Sequence, residues 1–143
     1  MLIDQVLRAK GRNVTTVCAD DTLQSVAKIL DSGRIGAVVA LDKNGEIVGV
    51  VSERDLVRVF AKSGESAVNS KVRDAMTRQV ITAAPGETVE IGLERMTDRR
   101  VRHLPVVSGG HLSGLVSIGD LVKWKIAETE AEKSALKAYV SSG

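Results

Sequence analysis

The chain has 143 residues, 43% hydrophobic and 27% charged, with a formal net charge of +2; this is the balance of a soluble globular protein of one domain or two small ones, and it does not demand an anionic partner. The single cysteine, Cys18, excludes an intrachain disulfide and a cysteine-based metal cluster. Only Phe60, Trp124 and Tyr139 are aromatic, which argues against single-stranded nucleic-acid binding by base stacking and leaves the core to Val, Ile, Leu and Ala.

Leu2, Val6 and Leu7 predict a short helix that ends before Gly11. Val14 to Val17 is a β-branched run, and Asp20-Asp21-Thr22 a helix-capping cluster. Leu23, Val26, Ala27 and Leu30 then fall at i, i+3, i+4 and i+7, one face of an amphipathic helix that Gly33 is placed to end. Ile35 to Leu41 is apolar at nearly every position, as in a strand buried on both faces. Asp42-Lys43-Asn44-Gly45 predicts a hairpin turn, Glu46 to Ser52 the returning strand, and Leu56, Val57 and Phe60 a second helix. A polar linker begins at Ser63-Gly64-Glu65-Ser66.

The same order then restarts. Val72 to Met76 predicts a short helix, Val80-Ile81-Thr82 a short strand, and Glu87-Thr88 the opening of a helix carrying Val89, Leu93 and Met96. Val101 to Val107 and Leu112 to Ser117 predict strands joined by Ser108-Gly109-Gly110, with a last helix through Leu121, Val122 and Lys125. Thr22 aligns with Thr88, Arg34 with Arg100 and Ser52 with Ser117 with one deletion, so the chain is a duplication of about sixty-five residues. Each half reads β-α-β-β-α, an α/β (α+β) pattern, and one half alone buries too little apolar surface to be comfortably stable. Two repeats packed with pseudo-two-fold symmetry are therefore expected: 6–62, a linker at 63–71, and 72–125, followed by a charge-rich helical extension at 126–143.

The duplicated junction is Gly49-Val50-Val51-Ser52-Glu53-Arg54-Asp55 and Gly114-Leu115-Val116-Ser117-Ile118-Gly119-Asp120. Serine followed three residues later by an acid, between a strand and a helix, is a capping-box-like start signal. The first turn of a helix also presents unpaired N–H groups and the positive end of its dipole. With this signature in both halves and the His103-Leu104-Pro105-Val106-Val107 strand, the chain resembles a tandem pair of CBS domains over residues 6–125. It is similar to the small stand-alone bacterial members of that family. The resemblance implies two clefts that bind adenosine derivatives (AMP, ADP, ATP, NAD(H) or S-adenosylmethionine), regulation by signal transduction rather than catalysis, and a homodimer through the helices of the pair. It also implies that the signature Asp holds ribose hydroxyls, the signature Ser contacts phosphate, and the first two strands surround the adenine.

Mapped onto this chain, the candidate nucleotide-binding residues are Thr16, Ala37, Val38, Ser52, Arg54 and Asp55 in the first repeat. In the second they are Thr82, Arg102, His103, Pro105, Ser117, Ile118 and Asp120. Asp55 and Asp120 suit a ribose diol because one carboxylate accepts two hydrogen bonds, and they equally suit a first-turn cap; the two readings coexist. Arg54 adds a cation matched to phosphate, whereas the second copy has Gly119 there and an apolar Ile118 in place of Glu53, so the clefts are not equivalent. Arg102 and His103 stand where the first repeat has Gly36 and Ala37. Alternation sends Arg100, Arg102 and Leu104 to one face, and Arg99 and Arg100 read as a solvated edge. Cys18 reads as a small buried residue, and His111 as an exposed turn residue.

No phosphate-binding Gly-rich loop, dinucleotide fingerprint or metalloprotease motif is present, so the reading is of a protein that is not an enzyme, with no catalytic residue, metal or catalytic cofactor. The N-terminus has acid and amide residues where a signal peptide is apolar, and no apolar run is long enough to span a bilayer, which predicts a cytoplasmic protein without a membrane partner. The downstream protein partner is unknown. Two rivals are a structural oligomerisation scaffold with vestigial clefts and, less favoured, a nucleic-acid-binding protein using Arg99 to Arg102 with Lys123 and Lys125.

Overall fold

A computed structural model describes residues 1–142. In chain order these form α1 (Ile3–Lys10), β1 (Thr16–Cys18), α2 (Leu23–Gly33), β2 (Ala37–Leu41), β3 (Ile47–Ser52), α3 (Glu53–Ser63), α4 (Val72–Ala75), α5 (Val89–Arg99), β4 (His103–Ser108), β5 (His111–Ser117) and α6 (Ile118–Ser142). The stretch expected to begin a linker is instead a 3-10 helix, Gly64–Asn69, with Ala67 buried. The elements fall into two compact units, Val14–Val80 and the combination of Met1–Asn13 with the chain from Ile81. The short helix that opens each sequence repeat therefore belongs to the unit built from the other repeat: α4 lies in the first unit and α1 in the second.

In the unit Val14–Val80, β1 runs parallel to β2 and β2 antiparallel to β3. The mostly buried β2 needs cover on both faces. Its core joins Val17, Val26, Leu30, Val38, Ala40 and Val51 to Val72 and Met76 from the α4 region. The hairpin turn is held by Asp42, whose Oδ1 accepts from the amides of Asn44 and Glu46, and by Gly45 at φ 80°. Thr77 exchanges two backbone hydrogen bonds with Val50, fixing the segment after α4 to the edge of β3.

The second unit has the β4–β5 hairpin, α5, α6 and α1. Its core is Ile3, Val6 and Leu7 with Ala83, Val89, Met96, Leu104, Val106, Val116 and Leu121. The amides of Ile3 and Asp4 donate to the carbonyls of Glu87 and Pro85, and the Val89 amide donates to Met1, so α1 is tied to the start of α5. The strand expected at Val80-Ile81-Thr82 is absent; a single parallel bridge pairs Ala83 with Val106. The cause is Pro105. In the first unit the amide of Val39 donates to Thr15 across the parallel pair. Pro105 occupies the matching position in β4 and has no N–H to give, so pairing cannot extend back towards Thr82.

The two signature glycines have a packing role. A Cβ on Gly49 would lie 2.9 Å from Cβ of Met76, and one on Gly114 would lie 2.6 Å from Cδ2 of Leu7. The segment taken from the other repeat sits directly on the glycine, which accounts for the residue at both positions. Helices α2 and α5 are capped by Thr22 and Thr88, whose hydroxyls accept from the amides of Ser25 and Ile91. Gly33 is the last residue of α2, and the left-handed residue is the next one, Arg34 at φ 51°, matched by Arg100 at φ 55° after α5.

Candidate functional site

Each unit contains one copy of the Ser-x-x-Asp junction, and both copies are true helix caps. In the first, the Ser52 hydroxyl accepts from the Asp55 amide, and Asp55 Oδ2 accepts from the Ser52 amide at 2.9 Å and the Ser52 hydroxyl at 3.1 Å. Oδ1 accepts from Nη2 of Arg58 at 3.1 Å and from the Thr77 hydroxyl at 3.4 Å. Arg58 also donates to the Ala75 carbonyl at 2.9 Å. Asp55 is the one buried charged residue among the described residues, 7% exposed, and both its oxygens are taken by its own unit.

The second junction is built differently. The Ser117 hydroxyl again accepts from the Asp120 amide, at 3.1 Å, and the Ser117 amide donates to Asp120 Oδ2 at 2.9 Å. The counter-cation is Lys10 of α1, whose Nζ lies 2.6 Å from the same Oδ2 and also donates to the Leu115 carbonyl at 2.8 Å. Burial pushes the Asp120 carboxyl up. The hydrogen bond from Lys10, the Ser117 amide and the lysine charge outweigh it and hold the group below the ordinary carboxylate range.

Around each cap the strand ends converge in the same way. Ala37 pairs with Ser52 and His103 with Ser117, while the carbonyls of Gly36 and Arg102 accept from the first amides of α3 and α6. In the first unit this brings Ala37, Ser52 and Asp55 together, with Arg54 exposed one residue before the acid. Val38 is fully buried in the core cluster, so its side chain packs the sheet rather than facing the cap. Thr16 is exposed and begins β1. In the second unit His103, Ser117 and Asp120 gather at the cap. Ile118 is 40% exposed and Pro105 is buried. Thr82 is exposed and precedes the Ala83 bridge.

Several expectations are corrected. Arg102 precedes β4 and is exposed while Leu104 is fully buried, so strand alternation does not reach back to it. Cys18 is exposed because β1 turns only its central Val17 inward. His111 is exposed but starts β5, paired with Ser108, rather than sitting in the turn. Arg99 and Arg100 are exposed, as a solvated edge requires. Sequence reasoning missed Arg58, Thr77 and Lys10. Arg58 stands one helical turn after Asp55 and was open to detection as an i,i+3 pair. Lys10 lies 110 residues from Asp120, and nothing local signals that contact.

The family model "CBS domain" matches residues 10–62 and 72–127. The chain belongs to the CBS-domain family. Among curated relatives, the mitochondrial CBS domain-containing protein CBSX3 of Arabidopsis thaliana is 34% identical, covering 99% of this chain and 72% of that protein. Among solved structures, a CBS-domain containing protein of Agrobacterium tumefaciens is 39% identical with a TM-score of 0.83, covering 85% of this chain and 91% of that one. A CBS domain protein of Pyrobaculum aerophilum, solved in complex with AMP, is 27% identical with a TM-score of 0.75, covering 84% of this chain and 89% of that one. The mixed helix-and-strand fold is thus that of the CBS pair proteins. Among the described residues, no helix is long and apolar enough to cross a membrane.

Proposed function

We propose that this CBS pair is a non-catalytic regulatory module that binds an adenosine derivative (AMP, ADP, ATP or NAD(H)) at its Ser-x-x-Asp junctions. The observation that carries the reading is one construction built twice: an N-capped helix whose first-turn carboxylate is held beside a strand end. The AMP complex of the Pyrobaculum aerophilum relative supports an adenosine ligand. The assigned repeats, 6–62 and 72–125, lie close to the two stretches that the family model matches. We take the Asp120 junction as the stronger site. Its hydrogen bonds fall on Oδ2, and Lys10, Arg102 and His103 supply basic groups for phosphate from the same unit. Thr82, Pro105 and Ile118 would complete it, and Thr16, Ala37, Ser52, Arg54 and Asp55, with the backbone of Val38, would form the first-repeat counterpart. At that counterpart a ribose must displace Arg58 or Thr77, so it should bind more weakly.

Regulation follows from linkage: a ligand shifts a conformational or assembly equilibrium by its differential affinity for the two states. For assembly, α2, α3 and the 3-10 helix leave an open apolar groove of about 470 Å³, lined by Leu23, Ala27, Leu56, Val57, Phe60 and Val68. On the equivalent face of the other unit, Glu90 and Lys125 form an ion pair at 2.8 Å. The apolar face supports a homodimer through these helices. We place the module in the cytoplasm, a reducing setting that suits its exposed lone thiol.

The test is thermal unfolding of nucleotide-free protein against AMP, ADP, ATP, NAD, NADH and S-adenosylmethionine at fixed protein concentration. A ligand at a hundred times its dissociation constant stabilises the native state by about 2.7 kcal/mol, several degrees for a chain of this size. One adenosine compound should raise the midpoint, and Asp120→Asn should remove most of the shift. A flat panel would overturn the reading in favour of a scaffold.

A further inference from the structure

Helix α6 serves its unit with only part of its length. Leu121, Trp124, Lys125 and Glu128, at i, i+3, i+4 and i+7, form its buried or half-buried face. Every described residue from Thr129 to Ser142 is exposed. Those fourteen residues make about 21 Å of helix. A helix of that length without tertiary cover is marginal in water. A second stripe runs down the same helix, rotated from the first: Val122, Ile126, Thr129, Lys133, Leu136 and Val140, at alternating spacings of four and three. Its apolar members are 40%, 58%, 63% and 69% exposed, in the order Val122, Ile126, Leu136 and Val140.

This spacing is a heptad, with Ile126, Lys133 and Val140 at the a positions and Val122, Thr129 and Leu136 at d. The flanking charges then decide orientation. Lys125 and Glu132 occupy g, and Glu130 and Lys137 occupy e. In a parallel pair each g residue faces the next e residue of the partner helix, which sets Lys125 against Glu130 and Glu132 against Lys137, every contact of opposite sign. An antiparallel pair that stacks Ile126 on Leu136 sets Lys123 against Lys137 and Glu130 against a second Glu130. Thr129 and Lys133 in the seam lower stability but favour a two-stranded assembly in one register. Lys125 already donates to Glu90, and its ammonium has further donors to share.

We propose that the exposed end of α6 pairs with the same segment of a second copy of this chain, as a parallel, in-register, two-stranded coiled coil. The inference stands on the helix itself and does not depend on nucleotide binding. It is tested in the full chain carrying Cys18→Ser, with single added Ile126→Cys, Val140→Cys or Ala138→Cys substitutions, under mild oxidation. Parallel pairing places the first two positions opposite themselves and the third on the outer face. Disulfide-linked dimer should form at least tenfold faster for Ile126→Cys and Val140→Cys than for Ala138→Cys. Sedimentation equilibrium should show the dissociation constant raised at least tenfold by Ile126→Glu with Leu136→Glu, two exposed sites whose change leaves the unfolding midpoint of the body in place. Equal cross-linking at the three positions, none at 126 and 140, a monomer throughout, or an unchanged dissociation constant would each overturn the proposal.

Discussion

Adding one methyl group at Gly114 probes how α1 is seated. The new Cβ would lie 2.6, 2.8 and 3.2 Å from Cδ2, Cδ1 and Cγ of Leu7, where carbon pairs prefer about 3.5–4.0 Å. Leu7 is fully buried among Ile3, Val6 and the β5 side chains, so it has no empty space to turn into. Helix α1 must back away by roughly an ångström. Overpacking of this kind costs about 1–3 kcal/mol, and the stiffer unfolded chain returns about 0.4–1 kcal/mol. Gly114→Ala should therefore lose about 1–2 kcal/mol, or about 2–8 °C in Tm. Urea unfolding followed by circular dichroism measures it, in a cycle with Leu7→Ala. That single change alone should cost about 2–5 kcal/mol through the cavity it leaves. The added methyl partly fills this cavity, so the double variant should lose less than the sum by about 1 kcal/mol or more. Additivity, or a Gly114→Ala variant as stable as the parent, would refute the packing argument. Gly49→Ala should be at least as costly, because it meets Met76 at Cβ, an atom that no rotamer moves.

The bidentate Glu87–Arg95 pair also holds the Ala84 amide; the hydrogen bond from Arg95 chiefly brings the Glu87 carboxyl down to about 2 against the opposing effect of burial. A depressed carboxyl stabilises above its unfolded pKa of about 4.5, so the advantage over Glu87→Gln, about 1–2 kcal/mol at pH 7, should disappear as pH falls from there towards about 2. A difference that persists unchanged at pH 2 would sink that account. Lys10→Met should move the Asp120 carboxyl upward, since burial remains while its lysine is gone; carbon NMR titration of the Asp120 side chain reads this directly. Arg100→Gly should raise stability by about 0.5–1 kcal/mol, because a left-handed residue strains every side chain but glycine's, and a lower Tm would contradict it.

The duplication and its two caps were legible because glycine, serine and aspartate stand at fixed offsets, each with a local physical role. The first strand of the second repeat was not. Val80, Ile81 and Thr82 have strand-forming side chains, but the missing donor belongs to Pro105, a residue on the neighbouring strand. The partners of the two acids divide in the same way. Arg58 shares a helix with Asp55 and obeys its periodicity, whereas Lys10 reaches Asp120 only after the chain has closed over a long span. The 3-10 helix at Gly64–Asn69 escaped notice because its short polar residues give no period to follow.

That α1 belongs with the second unit also sets an order of events during synthesis. All the segments of Val14–Val80 emerge before Ile81, so that unit can close while the rest of the chain is still being made. Helix α1, made before that unit, must wait until β5 and α6 appear more than a hundred residues later, holding Ile3, Val6 and Leu7 exposed meanwhile. A segment made before the first unit is thus placed only after that unit has closed, and its apolar face stays open to aggregation or chaperone capture in the interval.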